Sequence, residues 1–387
     1  MKKIIISSNT SWSIYNFRLE LIRHLANGNC IEVIAPKDKY TAELRQLGFT
    51  VHEIEMASSS IAPLQDLITI SRYAALLDKI RPDYYLGFTA KPNIYGGFIA
   101  AKYRCKVINN IAGLGRTFSK PGFLQQLMHL LYRIGLRKSH HVFFQNNDDL
   151  ALFEQHGLLK QSTRSVLPGS GVNIKRFSSK NYHNLQKEIT HSSATTRVST
   201  NNADSQPASS FVFLFSARLL LEKGIREYIA AAYRIKDLHP HAIFKVLGKH
   251  SNTSAELPQV ELHNACADGT IEYLGTTDNV VEILHQANCF VLPSFYREGV
   301  PRSLLEAASC GLPLITTNSV GCKETVTDKL NGFLVNPRDE ESLFLAMRAM
   351  IEQPIEAYLQ MGKESRKMAI HKFSETIIFE RYNALIK

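Results

Sequence analysis

Across 387 residues, no apolar run approaches the ~18–20 residues that a membrane-spanning helix needs. Stretches such as Ile4-Ile5-Ile6 and Phe211–Phe215 have the length of strands. Only two lysines precede the first of them, with no small-residue cleavage site, so no signal peptide is expected. Cysteine is sparse. The six residues Cys30, Cys105, Cys266, Cys289, Cys310 and Cys322 form no CxxC pair, which fits reduced thiols in a cytosolic protein better than a disulfide or zinc framework. Several chemical signatures are missing: HExxH, the phosphate loop GxxxxGK[ST], and GxGxxG after the first strand. Gly113-Leu-Gly115 lacks the third glycine and reads as a tight loop rather than a dinucleotide fingerprint. There is also no DxD, a common means of holding a divalent ion.

What is present is the composition of an ordinary globular chain, 44% hydrophobic and 21% charged. At roughly 150 residues per domain, the length predicts two domains, each with its own core. The net charge of +10 is uneven. Residues 1–170 hold 21 lysines and arginines against 12 acidic residues, and residues 171–387 hold 24 against 23. A basic first half suits an anionic partner such as a membrane surface, a phosphorylated lipid or a nucleic acid; ordinary solvation charge is the plainer reading.

The first 170 residues alternate between strand-like and helix-like patterns. Strands are predicted at 3–7, 31–35, 51–54, 84–87, 106–110 and 141–145. Helices are predicted at 14–26, 42–47, 64–80, 94–101 and 123–137. In the last of these, Phe123, Leu127, Leu130, Leu131 and Ile134 share one face, with Arg133, Arg137 and Lys138 nearby. Core packing of that face is the simpler reading, and docking of the basic end on lipid phosphates is the other. Residues 178–210 are rich in Ser, Thr, Asn, Gln and His, and are expected to form a disordered linker. A second alternation follows, with strands at 211–216, 242–247, 270–274, 289–293 and 312–316. Its helices are expected at 225–235, 280–286, 302–309, 339–352, 355–371 and 374–386. The fold class is therefore α/β, with parallel sheets covered by helices. Ligands in such sheets bind beyond the carboxyl ends of the strands.

Two segments lie at such strand ends. The first, Ser294 to Glu306, follows an apolar strand and opens a helix. Gly299 allows close approach, Pro301 suits a first helical turn, and free N–H groups there attract anions. Glu298 precedes the helix and Glu306 lies about a turn inside it. Taken alone, the two glutamates are better read as a helix-dipole partner and a solvated helical side chain. The second segment, Ser216 to Gly224, places Arg218 and Lys223 around a loop. Arginine can bind a phosphate bidentately, and lysine supplies a point charge. The paired histidines, His140-His141 and His239 with His241, are too few to form a metal site.

With these residues in view, the chain resembles glycosyltransferase family 4. The resemblance rests on Glu298-x7-Glu306 with Arg218 and Lys223 about 80 residues upstream. It extends over Phe88-Thr-Ala-Lys91-Pro92-Asn93-Ile-Tyr95-Gly96, Asn110-Ile-Ala-Gly113-Leu-Gly115 and Pro168-Gly-Ser-Gly-Val-Asn173. Gly321-Cys-Lys-Glu324 and Asn331-Gly-Phe-Leu-Val335 also match. The closest likeness is to the subgroup that builds O-antigen, capsule or glycan repeat units on a polyprenyl-diphosphate carrier.

The resemblance implies a GT-B-like architecture of two facing Rossmann-like domains with a central cleft. The first domain, 1–177, would bind the acceptor. The second, 211–373, would bind the donor, and the last helix, 374–387, would pack back on the first. It also implies a retaining, metal-independent transfer from a nucleotide-sugar, a UDP-HexNAc or UDP-hexose, with no cofactor. Arg218 and Lys223 would hold the donor diphosphate and stabilise the leaving group. Glu298 would contact the donor sugar at the reacting face, and Glu306 the ribose hydroxyls. Gly299, Val300 and Pro301 would present backbone to sugar and phosphate, with Gly224 and Leu274 also on the donor side. Asn16, Lys91, Asn93, Gly113 and Gly115 would face the acceptor. The implied partners are the nucleotide-sugar, a lipid-linked glycan and an anionic membrane surface, with no nucleic acid. The expected location is the inner face of the cytoplasmic membrane.

Two features depart from the family pattern. Asn9-Thr10-Ser11-Trp12-Ser13 replaces a Gly-Gly loop, and Ala112 precedes Gly113 where many relatives carry a histidine. No catalytic histidine is therefore assigned. Two other readings compete. A sugar-nucleotide 2-epimerase would share the architecture, but the Glu-x7-Glu spacing speaks against it. A non-catalytic or nucleic-acid-binding module would rest on charge alone, without the aromatic interleaving of single-strand binders.

Overall fold

The computed structural model describes residues 1–56, 63–118, 122–159, 162–179, 210–251 and 253–387. The predicted linker, apart from its ends, lies outside these residues. The chain divides into two compact units. Unit 1 comprises Met1–Gly171, Arg297–Val300 and Glu375–Lys387; unit 2 comprises Val172–Tyr296 and Pro301–Ser374. The chain thus changes unit at Gly171, before the expected boundary at 177.

Unit 1 is built on seven strands: β1 (Lys3–Ser7), β2 (Cys30–Ala35), β3 (Thr50–Glu53), β4 (Tyr84–Phe88), β5 (Lys106–Ile111), β6 (His141–Phe144) and β7 (Thr163–Val166). All pair in parallel, in the order β3-β2-β1-β4-β5-β6-β7. Ile4, Ile5 and Ile6 are all fully buried, as a strand covered on both faces requires. The covering helices are α1 (Ser11–Ala26), α2 (Tyr40–Gln46), α3 (Pro63–Ile80), α4 (Gly97–Ala100), α5 (Phe123–Gly135) and α6 (Asn147–Gln155). The strand order reverses direction between β1 and β4, so their carboxyl ends flank a crevice.

Unit 2 repeats the plan with β8 (Val212–Ser216), β9 (Ile243–Leu247), β10 (Glu272–Tyr273), β11 (Cys289–Leu292), β12 (Leu314–Thr317) and β13 (Gly332–Val335). Their order is β10-β9-β8-β11-β12-β13, all parallel. The switch point lies between β8 and β11, where Cys289 pairs with Phe213 and Phe290 with Leu214. The helices are α7 (Ile225–Leu238), α8 (Gln259–Ala267), α9 (Val280–Gln286), α10 (Arg302–Ser309), α11 (Glu340–Ile351) and α12 (Ile355–Lys372). The final helix α13 (Glu375–Asn383) packs within unit 1, where Tyr382 lies fully buried against Phe88 and Phe143.

Three local expectations need correction. The helix predicted at 94–101 is a composite: a π turn at Pro92–Gly96, α4, then a 3-10 turn at Ala101–Tyr103. Gly96 sits so close to the Tyr85 hydroxyl that any side chain would overlap it. Pro301 lies outside the first turn of α10, as its extended N-cap residue (φ −62°, ψ 121°). Its carbonyl accepts from Leu304 at 3.2 Å and Leu305 at 3.4 Å. The apolar face of α5 is only partly core. Met128, Leu131 and Tyr132 pack inward, whereas Phe123 is 81% exposed and Leu124, Leu130 and Ile134 are also exposed. Among the described residues, no helix is long and apolar enough to cross a membrane.

Candidate active site

The switch point of unit 2 gathers the two cations found in the sequence. Arg218 follows β8 by two residues, and Lys223 closes a 3-10 turn (Leu221–Lys223) ahead of α7. Gly224 has φ +79°, and a Cβ there would overlap the Pro293 carbonyl at the end of β11. Only glycine allows the two strand-end loops to meet this closely. The same turn anchors the second loop through one carbonyl. Glu222 O accepts from Phe295 N at 3.0 Å, Tyr296 N at 3.1 Å and Ser294 Oγ at 3.3 Å. Lys223 is 9% exposed, and its ammonium lies over the Tyr296 ring at 5.3 Å. That contact supports a cation in a partly desolvated position. Arg218 is exposed, and its guanidinium has no hydrogen-bond or ion-pair partner among the described residues.

The base of this crevice is rigid. Thr316 Oγ1 donates to Leu292 O at 2.7 Å, and Ser319 Oγ donates to Ser294 O at 2.8 Å. Thr317 also donates to Ser294 O. Leu274 follows β10 at the same end of the sheet, its N–H bonded to Val246 O at 2.8 Å. Next to it, Gly248 N donates to Gly275 O at 2.7 Å, linking this strand end to the one after β9.

On α10, Glu306 is already engaged. Arg302 Nε meets Glu306 Oε1 at 2.9 Å, an i,i+4 pair with both side chains less than one-fifth exposed. Burial pushes the Glu306 carboxyl above its ordinary pKa, opposed by Arg302 and by the charge of Arg176. A ligand hydroxyl at Glu306 would therefore share the carboxylate with Arg302.

Glu298, Gly299 and Val300 belong to unit 1, whereas Arg218, Lys223, Glu306 and Pro301 belong to unit 2. Gly115 N donates to Arg297 O at 3.0 Å. Asn146 Nδ2 donates to Glu298 O at 3.2 Å, and Val300 N donates to Gln145 Oε1 at 3.2 Å. Arg297 Nε pairs with Asp149 Oδ1 at 2.8 Å. Gly113 (φ +96°) and Gly299 pack backbone to backbone, and a Cβ on Gly113 would overlap Gly299 N. The two loop glycines assigned to the acceptor thus serve first to seat this tetrad.

The other residues assigned to the acceptor lie elsewhere in unit 1. Lys91 Nζ is paired with the buried Asp66 at 2.6 Å, and Tyr95 OH donates to the same carboxylate at 3.0 Å. Asn93 is 1% exposed and donates to Asn110 O at 2.9 Å, so its side chain cannot touch an acceptor directly in this conformation. Asn16 Nδ2 donates to Trp12 O at 3.0 Å within α1. His141 uses its ring nitrogens on Thr163 Oγ1 and Ser165 Oγ. Among the described residues, no group of three or more His, Cys, Asp or Glu side chains is placed to hold a metal ion.

Glu222, Ser294 and Tyr296 lie inside the two strand-end segments without a role of their own there, and no motif marks Gln145, Asn146 or Asp149. The Asn-Asn-Asp-Asp run at 146–149 does carry a helix-start signal, and Asn146 caps α6 by accepting from Asp149 N.

Comparison with known proteins identifies the family and the fold. Residues 3–146 match the family model "Glycosyl transferase 4-like", and residues 199–368 match "Glycosyl transferases group 1". The chain is 29% identical to N,N'-diacetylbacillosaminyl-diphospho-undecaprenol alpha-1,3-N-acetylgalactosaminyltransferase of Campylobacter jejuni, over 97% of this chain and 96% of that one. It is 26% identical to the capsular polysaccharide biosynthesis glycosyltransferase CapM of Staphylococcus aureus, over 89% and 88%. Among solved structures, Anabaena HepE in complex with UDP superimposes with a TM-score of 0.77 at 16% identity, covering 100% and 99% of the two chains.

Proposed function

The chain belongs to the glycosyltransferases of the family 4 type, and from that premise we propose that it transfers a sugar from a nucleotide-sugar to a polyprenyl-diphosphate-linked glycan during surface polysaccharide assembly. An N-acetylhexosamine carried on UDP is the donor we favour, because the Campylobacter relative is an N-acetylgalactosaminyltransferase and HepE was crystallised with UDP. The observation that carries the reading is the placement of Arg218 and Lys223 at the β8/β11 switch point, at the end of the sheet where such folds bind ligands. In the transfer, the bond from the sugar's anomeric carbon to the donor diphosphate breaks, a bond to the oxygen of an acceptor hydroxyl forms, and the hydroxyl's proton leaves with the departing diphosphate. The departing nucleoside diphosphate gathers negative charge, and the two cations at this strand end stabilise it. Glu298 contacts the sugar, Glu306 the ribose, and the anomeric configuration is retained. Arg218 and Lys223 supply the neutralisation that a divalent ion would otherwise provide.

Release of UDP tests this reading. It should require a lipid-linked acceptor and continue in excess EDTA. Turnover of a UDP-sugar without any acceptor would instead favour a 2-epimerase, a reading that the transferase relatives named above do not support.

We place the enzyme peripherally on the cytoplasmic membrane, with α3 and α5 against the lipid. Both helices pack on the Pro92–Gly96 turn. Leu64, Leu67 and Ile68 of α3 are exposed, as are Phe123, Leu124, Leu130 and Ile134 of α5. No acidic residue occurs from 122 to 147, whereas Arg133, Arg137 and Lys138 do. An apolar face edged by cations suits the boundary of an anionic bilayer. Introducing Phe123→Asp with Leu124→Asp should weaken binding to phosphatidylglycerol vesicles by at least about tenfold, since each buried apolar side chain contributes about 1.5–3 kcal/mol. Turnover of a water-soluble acceptor should be unchanged. Flotation equal to wild type would remove this face from the contact.

A further inference from the structure

We propose that Gln145, Asn146 and Asp149 are positioning residues, a clamp that holds the backbone on which Glu298 is carried. The inference rests on the role given to Glu298 above.

The clamp is built from the end of β6 and the first turn of α6. Asn146 is the N-cap, and its Oδ1 accepts from Asp149 N at 2.7 Å. That bond is the side-chain N-cap of α6 and uses only the amide oxygen. The amide's other end is left over, and Nδ2 lies 3.1 Å from Asp149 Oδ2 and 3.2 Å from Glu298 O. Asp149 has a side chain with no solvent exposure, and its partner is Arg297 Nε at 2.8 Å. A buried carboxylate is costly unless paired, and the pair here comes from a residue 148 positions away in sequence. Gln145 accepts from Val300 N at 3.2 Å, while its own Nε2 reaches Asn110 Oδ1 at 3.4 Å. Asn110 Nδ2 in turn donates to Tyr382 OH at 3.0 Å, which ties the clamp to the core of unit 1.

The bonds fall on successive residues of the tetrad. Arg297 is held by its side chain and by its carbonyl, which Gly115 N reaches. Glu298 is held by its carbonyl and Val300 by its N–H. A Cβ on Gly299 would displace Gln145 Oε1, the acceptor of the Val300 N–H. Neither α6 nor β6 needs these outward bonds for its own geometry. A buried polar network with every member satisfied fixes one arrangement. The arrangement fixed here is that of the peptide units around Glu298.

The test is a double-mutant cycle. Asn146→Ser keeps a good N-cap while removing the donor to Glu298 O. It should lower kcat by about tenfold, because a small misplacement of a reacting-face group is costly. KM for the donor should stay within about twofold, and Tm should fall by about a few degrees at most, the worth of one lost buried hydrogen bond. In a Glu298→Gln background the same substitution should have little further effect, since the two then act through one group. An equal loss in both backgrounds, or no loss in either, overturns the clamp and leaves the role of Glu298 standing. Wild-type turnover by Glu298→Gln alone overturns the role of Glu298 itself, and the inference with it. Asp149→Asn with Arg297→Gln, which removes both charges together, provides a second variant and should reproduce the fall in kcat.

Discussion

Lys223→Met lowers turnover by about 10²–10³-fold, the loss seen when one preorganised donor to a developing anion is removed. The ammonium lies over Tyr296 and is 9% exposed, so water cannot readily replace it. Charge in such a place acts through a lower effective dielectric than charge at an open surface. Methionine keeps the length of the stem and its packing, which alanine would not. Steady-state rates beside thermal melts therefore separate the two roles of this residue. A fall in kcat with Tm nearly constant places Lys223 at the leaving group. A fall in Tm with kcat per folded molecule unchanged assigns it to packing. Arg218→Gln acts in the same direction. Its side chain is exposed and partnerless among the described residues, so that variant leaves stability unchanged.

Glu298→Gln lowers kcat by between about tenfold and a hundredfold, the worth of a hydrogen bond to a charged acceptor at about 1.5–3 kcal/mol. The amide is nearly isosteric, and the clamp holds Glu298 by its carbonyl, so the backbone remains in place. The loss falls on the sugar rather than the nucleotide. Binding of UDP alone, followed by calorimetry, stays within about twofold of wild type, while turnover of the UDP-sugar falls. Equal losses in both measurements would show a general disturbance of the loop.

The sheets were legible in the sequence because their strands are apolar on both faces, as in Ile4–Ile6 and Cys289–Leu292. Two fainter elements were not legible in this way. β7 is an edge strand, Thr163–Val166, whose first two residues are exposed. α8 exposes Val260 while burying only Leu262 and Ala265, so its periodicity is faint. The partial exposure of α5 was illegible for a different reason. A helical apolar face reads the same whether protein or another medium covers it.

In the site, Arg218 and Lys223 stood out because a strand end and a glycine frame them. The carbonyl of Glu222, which anchors Ser294, Phe295 and Tyr296, is a backbone group that no residue pattern reports. Gln145, Asn146 and Asp149 lie about 150 positions from the tetrad they hold. Only the fold brings them together. The pairing of Arg302 with Glu306 follows the i,i+4 rule, so the spacing alone carries it.

The central claim is transfer to a lipid-linked acceptor. Incubating the protein with radiolabelled UDP-N-acetylhexosamines, a wider panel of UDP- and GDP-sugars, and a bacterial lipid extract tests it most directly. Label is expected in the organic phase, on a polyprenyl-diphosphate glycan extended by one sugar whose anomeric configuration matches that of the donor. No organic-soluble label with any donor, across the whole panel, would contradict it.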